Sequence, residues 1–559
     1  MARWAHVLAV FGLLAVSCGN GGTVQDADPG QDVAGELAPD VVSELPPVEV
    51  VPDESPAEEI APVDIEDEDE GSTDLPGEVA KDETPPTVAS SDPADEASDV
   101  AIPFVVHVTF SEAIRFKETV DPSTFRVIDM NDNELAGELA YDDATFTVTF
   151  TPDAGTVFYR ASPYQVVLSN LIQDKAGNRM TATVLSFATS PGENLEKFQQ
   201  LAIQYAPVLY QSVNATAPQF DFPTSYDFDG DWQAANNDQN IMKAQSIPAY
   251  VYYDVVESKT HWFVRYVYFY PRHVQADNTF GNEVAGALVV VSKFPSPAPI
   301  AVETFFGSGT QDMLSYVTTE SGIVTDGAAG DAANGDLNDK DRKWFGVNRV
   351  FPQSTLFPGG HYQAYLTKGE HQSCAWAYED SSFGAPCQLT ASQKKTLSIM
   401  HFAYIDGVAT PLLKGAGGFP TGTVEGDDVG YGLKSILKDW WVRRFRVGDM
   451  WDSKFTYEPP EERPGANTVA ATTFVNPIDE AIPGGRAPWA WSWNPSGLPD
   501  TEFNYYEFNP GTTFYDPAYY FARRHRIQMT TGKTGFSTTY CFNPYLMVDQ
   551  RGMDTDCSQ

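Results

Sequence analysis

Cysteine, positive charge and long apolar runs are all scarce in this chain of 559 residues. Its five cysteines are Cys18, Cys374, Cys387, Cys541 and Cys557, and no CxxC pair occurs, which removes the structural zinc clusters built on that spacing. Lys and Arg number 35 against 77 Asp and Glu, a formal net charge of -42. Charge of that sign repels phosphate backbones and anionic headgroups, so nucleic acid is excluded as a partner and any membrane attachment must be lipidic. The apolar run Val7–Val16 is too short to cross a hydrocarbon core of ~30 Å as a helix. HExxH, GxSxG and GxxxxGK do not occur, and no GxGxxG follows a strand, which argues against metalloprotease, serine-hydrolase and nucleotide-dependent chemistry.

What is present begins at the N-terminus. Arg3, the apolar run, and then Leu14-Ala15-Val16-Ser17-Cys18 read as a bacterial lipoprotein signal peptide, residues 1–17, with Cys18 as the lipidated first residue of the mature protein. At about 0.8 kcal/mol per buried methylene, several acyl chains anchor a protein durably. Gly19 rather than an acid after the cysteine resembles the pattern of Gram-negative lipoproteins sorted to the outer membrane, and the expected location is the surface of that membrane. Export favours disulfides among the remaining four cysteines. They allow three connectivities, of which the local pairs Cys374 with Cys387 and Cys541 with Cys557 are preferred because each closes a short loop.

Residues 18–83 are a different material. Residues 21–90 hold 21 carboxylates and one lysine, and Asp64–Glu70 has six acids in seven positions. Such a stretch cannot bury enough apolar surface to offset its ordering entropy, so it reads as a disordered, self-repelling tether.

From residue 84 to 190 short β-branched and aromatic runs alternate with turn residues: Phe104–Phe110, Thr124–Ile128, Thr145–Phe150, Tyr164–Leu168 and Thr183–Phe187. They predict a β-sandwich. Pro85-Pro86-Thr87-Val88, Val108–Ile114, Thr147–Pro152, Tyr164, Asp174–Asn178 and Phe187-Ala188-Thr189 together resemble the bacterial Ig-like domain of SbsA-type surface-layer proteins. The resemblance implies a spacer or adhesive module on a cell surface. Asp174 is assigned to its turn rather than to a metal.

Residues 193–559 predict a large β-rich domain with a few helices, in one or two subdomains. Leu195, Phe198, Leu201, Ala202 and Tyr205 recur at helical spacing behind Asn194 and before Pro207. A second helix is expected over Tyr431–Phe445, and strands at 249–254, 262–270, 287–294, 300–306 and 362–367. The fold class is therefore mainly β: tether, Ig-like sandwich, then the large domain.

Three places could carry chemistry. Asp227, Asp229, Asp231 and Asp238 either form an Asx-rich turn with solvated carboxylates or converge on one hard cation, for which Ca2+ is the candidate, although the glycine is at position four rather than six of an EF-hand loop. A second acidic stretch, Asp331–Asp339, reads as an exposed loop. Pro271-Arg272-His273 with Gly281-Asn282-Glu283, and Gly360-His361 with Gly369-Glu370-His371, faintly resemble the necrosis-inducing-protein sandwich, whose polar heptad binds a metal. Pro488-Trp489-Ala490-Trp491 and Asp516-Pro517-Ala518 add to that likeness. Here only Asn282 and Glu283 stand where that heptad has His, Asp and Glu, so the resemblance implies a degenerate or rebuilt site around Asp227, Glu283, His361 and His371, with Glu283, His361 and His371 as catalytic candidates. The aromatics Trp489, Trp491, Trp493, Tyr505, Tyr506, Phe514, Tyr515, Tyr519 and Tyr520 could stack on sugars or fill a core. The leading expectation is a lipid-anchored surface protein presenting a binding module, calcium-stabilised, for a glycan or another envelope ligand. The alternatives are a metal-dependent extracellular hydrolase and a structural envelope protein.

Overall fold

The computed structural model describes residues 82–559 except 130–132, 157, 193–194, 275–278, 308–310, 324–348, 378–388, 421–428, 444–454, 458–462, 465–471, 475–486, 491–509, 526 and 547–559. The signal peptide, Cys18, the acidic segment, Cys387, Cys557, Trp491, Trp493, Tyr505, Tyr506 and the stretch 331–339 lie outside the described residues.

Strict alternation builds the first domain. Strands β1 (Val88–Asp92), β2 (Val106–Phe110), β3 (Phe125–Ile128), β4 (Gly137–Asp142), β5 (Thr147–Pro152), β6 (Pro163–Leu168) and β7 (Thr183–Ala188) form two sheets, β1-β2-β5-β4 and β3-β6-β7. Val106, Val108 and Phe110 point inward while His107 and Thr109 stay half-buried, the period-two pattern of a sandwich. Phe104 makes edge contacts with Phe158, Tyr164 and Phe187, at 4.8 to 4.9 Å between ring centres. Asp174 closes its turn, accepting from the backbone of Gly177 and Asn178 at 2.6 and 2.8 Å.

The larger domain starts with the expected helix, Leu195–Gln204, which buries Phe198, Leu201 and Ala202. Its strands are β8 (Val208–Ser212), β9 (Ser246–Pro248), β10 (Tyr250–Ser258), β11 (His261–Val274), β12 (Thr279–Ser292), β13 (Ala298–Gly307), β14 (Gln311–Thr318), β15 (Arg349–Phe351), β16 (Gln363–Leu366), β17 (Ser373–Ala375), β18 (Ile399–Tyr404), β19 (Pro411–Leu413) and β20 (Val429–Ser435). Among the described residues, β9 and β19 pair separately, and one twelve-stranded sheet runs β15-β14-β13-β12-β11-β10-β20-β18-β8-β16-β17, with Tyr540–Phe542 added on β10. The sheet curls, so that β17 returns against β12 and β13.

Every residue of β11 from His261 to Pro271, and of β12 from Gly281 to Val291, is buried. Successive side chains face opposite ways, so both faces of this hairpin are covered and its apolar runs are continuous rather than alternating. The helix Leu195–Gln204 packs on β10 and β11, where the Tyr266 hydroxyl donates to the Ala202 carbonyl at 2.7 Å.

One expectation is corrected here. The helix expected over Tyr431–Phe445 begins as strand β20, because that segment fills the gap between β10 and β18, parallel to both. Gly432 is required there, since a Cβ would meet the Tyr250 ring at 2.6 Å. Among the described residues of this span, helix forms over Ile436–Asp439, followed by a 3-10 turn at Trp441–Arg443. The described members of the aromatic group fill the core, the more usual fate of such residues in a domain of this size: Trp489, Phe514, Tyr515, Tyr519 and Tyr520 are buried, with Trp489 edge-on to Trp441. Each such ring contributes about 1.5–3 kcal/mol by leaving water.

Cys374 in β17 and Cys541 in the strand Tyr540–Phe542 are each disulfide-bonded. Charges in the interior are paired. Arg265 meets Asp254 at 2.6 Å and lies 3.8 Å over the Phe514 ring. Arg524 Nε donates to Glu303 at 2.7 Å, and His525 Nε2 is 3.3 Å from the same carboxylate. Burial pushes the Glu303 carboxyl up, but Arg524 and His525 outweigh it and hold it down at about 2. A carboxyl lowered in the fold contributes stability above its unfolded value, near 4.5, and that stability is lost as pH falls towards 2. Glu303→Gln leaves Arg524 buried without its counter-charge and should cost about 3–5 kcal/mol. In urea unfolding at neutral pH the midpoint should drop, and the gap from wild type should narrow as pH is lowered from 5 towards 2.

Candidate metal centre

The site grows from an irregularity in the β11–β12 hairpin. Pro271 has no N–H to give the ladder, and Asn282 opposite it has a positive φ of 58°. Regular pairs Tyr270↔Glu283 and Arg272↔Gly281 flank this break. In an unbroken strand His273 and the partner position of Glu283, three residues away, would face opposite ways; the break lets them meet. Asn282 is held in place by its side chain, which donates to the Ala234 carbonyl at 2.7 Å and accepts from Asn237 at 2.8 Å.

The turn between β16 and β17 supplies the third member. His371 has φ 48° and Gly369 φ 76°. The Gly369 carbonyl accepts from Val274 N at 3.0 Å, fastening the turn to the end of β11. Gly369 N donates to Asp221 Oδ1 at 2.6 Å, and Asp221, ending the 3-10 turn Pro218–Asp221, also accepts from Asn214 N at 2.6 Å. Because the sheet curls, a turn distant in sequence lands beside the Val274 end of β11.

His273 Nδ1 stands 2.8 Å from Glu283 Oε1, and His371 Nδ1 2.5 Å from Glu283 Oε2. The other ring nitrogen of His371 is 3.2 Å from Asp221 Oδ1. All four residues are buried, with 0% exposure. The Tyr270 ring stacks on His371 at 3.6 Å, its hydroxyl donating to Gln211 at 2.6 Å, and Phe280 stacks on His273 at 4.3 Å. Burial disfavours a charged His371, but Glu283 and Asp221 on either side overcome it and raise its pKa to about 9.

One ligand atom from each of His273, Glu283 and His371 lies within 4.8 Å of the others. His273 Nε2 is buried with no hydrogen-bond partner, a condition that ordinarily costs about 1–3 kcal/mol. Two imidazoles and a carboxylate are a donor set for a divalent ion such as zinc, whereas calcium prefers oxygen throughout. Asp221 stands where an outer carboxylate orients a ligating histidine through its second ring nitrogen. The residues therefore fit a metal, in a closed setting.

Of the residues singled out from sequence, Glu283 and His371 come together. His361 does not join them; its Nδ1 is 2.8 Å from the Ala206 carbonyl. The four aspartates expected to share a cation are engaged separately. Asp227 pairs with Lys434 at 2.8 Å, Asp229 accepts from Asn240 at 2.7 Å, and Asp231 accepts from Gln233 N at 2.8 Å and Asn236 at 3.0 Å. Asp238 falls in the first turn of the helix Asn237–Lys243, which carries it out of the loop. Asp221 was not anticipated, and His273 was noted only as part of its cluster. The proline at 271 inside an otherwise continuous strand was the signal for a local break.

The fold and the site thus define a protein with an Ig-like sandwich ahead of a large, curled β domain that encloses a histidine–carboxylate cluster. Residues 82–189 match the family described as a bacterial Ig-like domain, and that segment is such a domain. Solved structures with local similarity include CopC from Methylosinus trichosporium OB3b, at 14% identity over 20% of this chain and 97% of that one, TM-score 0.16. PcoC, a methionine-rich copper resistance protein from Escherichia coli, is 17% identical over 19% of this chain and 98% of that one, TM-score 0.16. The N-terminal part of the bacterial S-layer protein SbsC is 16% identical over 36% and 43%, TM-score 0.15. No curated protein matches. The Ig-like domain is consistent with a bacterial cell-envelope protein.

Gly369 offers a direct check on how the cluster is assembled. A Cβ there would sit 2.3 Å from the Val274 carbonyl oxygen, whereas Gly359, also at positive φ, has open space around it. Gly359→Ala should cost about 1 kcal/mol, the conformational penalty alone. Gly369→Ala should cost clearly more, about 3 kcal/mol, since backbone must also move; chemical denaturation of the two variants reads the difference.

Proposed function

We propose that this chain is an outer-membrane lipoprotein, anchored through Cys18, whose acidic segment and Ig-like domain hold the C-terminal domain away from the membrane as a binding module. In this reading Cys374 pairs with Cys387 and Cys541 with Cys557, and a divalent metal held by His273, Glu283 and His371 stabilises the module. The observation that carries the choice between binding and catalysis is the complete burial of those three side chains. Structural metal sites are closed, while catalytic ones keep a position open to water or substrate. A hydrolase built on Glu283 and His371 would need a route for substrate to atoms that are 0% exposed, so the binding module is the better supported reading.

Two measurements test it. Elemental analysis of the purified full-length protein should find about one equivalent of a transition metal, and Glu283→Gln should abolish it. Chelator should lower the wild-type melting temperature while leaving the variant unchanged, since ligand binding to the folded state alone adds to stability. Separately, Cys18→Ser should move the protein from the membrane to the soluble fraction; retention of all of it in the membrane would overturn the anchor.

A further inference from the structure

The three ligands of the proposed metal centre are carried by unequal supports. His273 and Glu283 lie on β11 and β12, strands of 14 residues each, whose ladder runs from His261↔Ser292 to Val274↔Thr279. His371 instead sits in the turn between β16, of 4 residues, and β17, of 3 residues. Among the described residues β17 ends the twelve-stranded sheet and pairs with β16 alone, through Ala364↔Ala375, Tyr365↔Cys374 and Leu366↔Ser373. Local opening needs least free energy where few backbone hydrogen bonds hold a segment to its neighbours. By that measure the turn bearing His371 is the weakest wall of the enclosure.

The turn is fastened at a small number of points. Thr367 N donates to the Gln372 carbonyl at 3.0 Å and Gln372 N to Thr367 Oγ1 at 2.9 Å, which closes Thr367–Gln372 into a loop. Gln211 Nε2 donates to the Thr367 carbonyl at 3.2 Å. The bonds from Val274 N to the Gly369 carbonyl and from Gly369 N to Asp221 Oδ1 then seat the loop over the cluster. His371 holds a positive φ of 48° in this closed form, a conformation that costs a residue with a side chain about 1–2 kcal/mol.

We propose that Thr367–Gln372 is a strap that closes over the metal as the chain folds: the ion enters while the strap is open, and afterwards leaves only at the rate at which the strap opens. His273, Glu283, His371 and Asp221, all at 0% exposure, keep an attacking chelator from the ion, so removal begins with His371 swinging away. Opening breaks the bonds to Val274, Asp221 and Gln211 and leaves the β11–β12 ladder whole. The strap regulates the metal centre proposed above, and so rests on that reading.

The probe is cobalt(II), whose visible absorption reports histidine and carboxylate coordination, on the full mature chain carrying Cys18→Ser. Refolding from urea with cobalt should give about one bound equivalent, since metal binding couples to folding. The folded, metal-free chain should take cobalt up about tenfold more slowly or worse, because the strap must first open. On transfer to EDTA, cobalt should leave at a rate that stops rising with chelator concentration. Gly369→Ala should speed release about a hundredfold, the ratio that about 2.8 kcal/mol makes at 1.4 kcal/mol per factor of ten. Thr367→Val, which removes one strap bond and keeps the shape, should speed it severalfold, and Gly359→Ala, outside the strap, should leave it unchanged. Should Gly369→Ala fail to fold, Thr367→Val and the chelator dependence of the parent chain still decide. Release that rises in proportion to EDTA, release unchanged in both strap variants, or equal acceleration by Gly359→Ala would each overturn the strap and leave the metal centre standing. Failure to bind cobalt on refolding would overturn the metal centre itself, and the strap with it.

Discussion

Burial of both faces of the β11–β12 hairpin is the constraint from which the larger domain follows. Once the strands from His261 to Pro271 and from Gly281 to Val291 are closed to water, any ionisable group they carry must be matched inside the protein. Arg265 is answered by Asp254 on the neighbouring strand. Glu303, on β13, is answered by Arg524, the last residue of the helix Pro517–Arg524, and by His525 just after it. Glu283 is answered by two histidines. The C-terminal segments are thus tied to the sheet by charge as well as by aromatic packing, and the domain cannot be divided at any of these pairs without exposing or stranding a charge.

The two ends of β11 differ in kind. At the Pro271 end the side chains are wholly enclosed and their lone pairs face one another, an arrangement suited to holding an ion and a fold. At the His261 end the same strand emerges beside an exposed phenylalanine, Phe294, and a buried Lys293–Glu257 pair.

Much of the Ig-like domain was legible in advance because its information is local. Val106, Val108 and Phe110 alternate with polar neighbours, and Asp174–Asn178 carries its own turn chemistry, so neither needs a distant segment to declare its state. The helix Leu195–Gln204 was legible for the same reason. Tyr431–Phe445 was misread because helical spacing of Leu433, Leu437, Trp440 and Trp441 cannot reveal that Gly430 and Gly432 slot the segment between two strands. The aspartates 227, 229, 231 and 238 suggested convergence from spacing, yet the helix starting at Asn237 and the salt bridge to Lys434 dispersed them. For Trp489 and its aromatic neighbours the composition favoured a core, and the C-terminal segment packs the described ones there.

The amino-acid sequence by itself determined the alternation that makes the sandwich and the unbroken apolar runs that demand a doubly covered strand. These depend on periodicity and on local energetics, which are written along the chain. The tertiary structure alone decided that His273, Glu283, His371 and Asp221 share one enclosed space. Such meetings depend on how far a twelve-stranded sheet curls and on where Pro271 interrupts its ladder. No local pattern records those distances, because they are set by the packing of segments far apart in sequence.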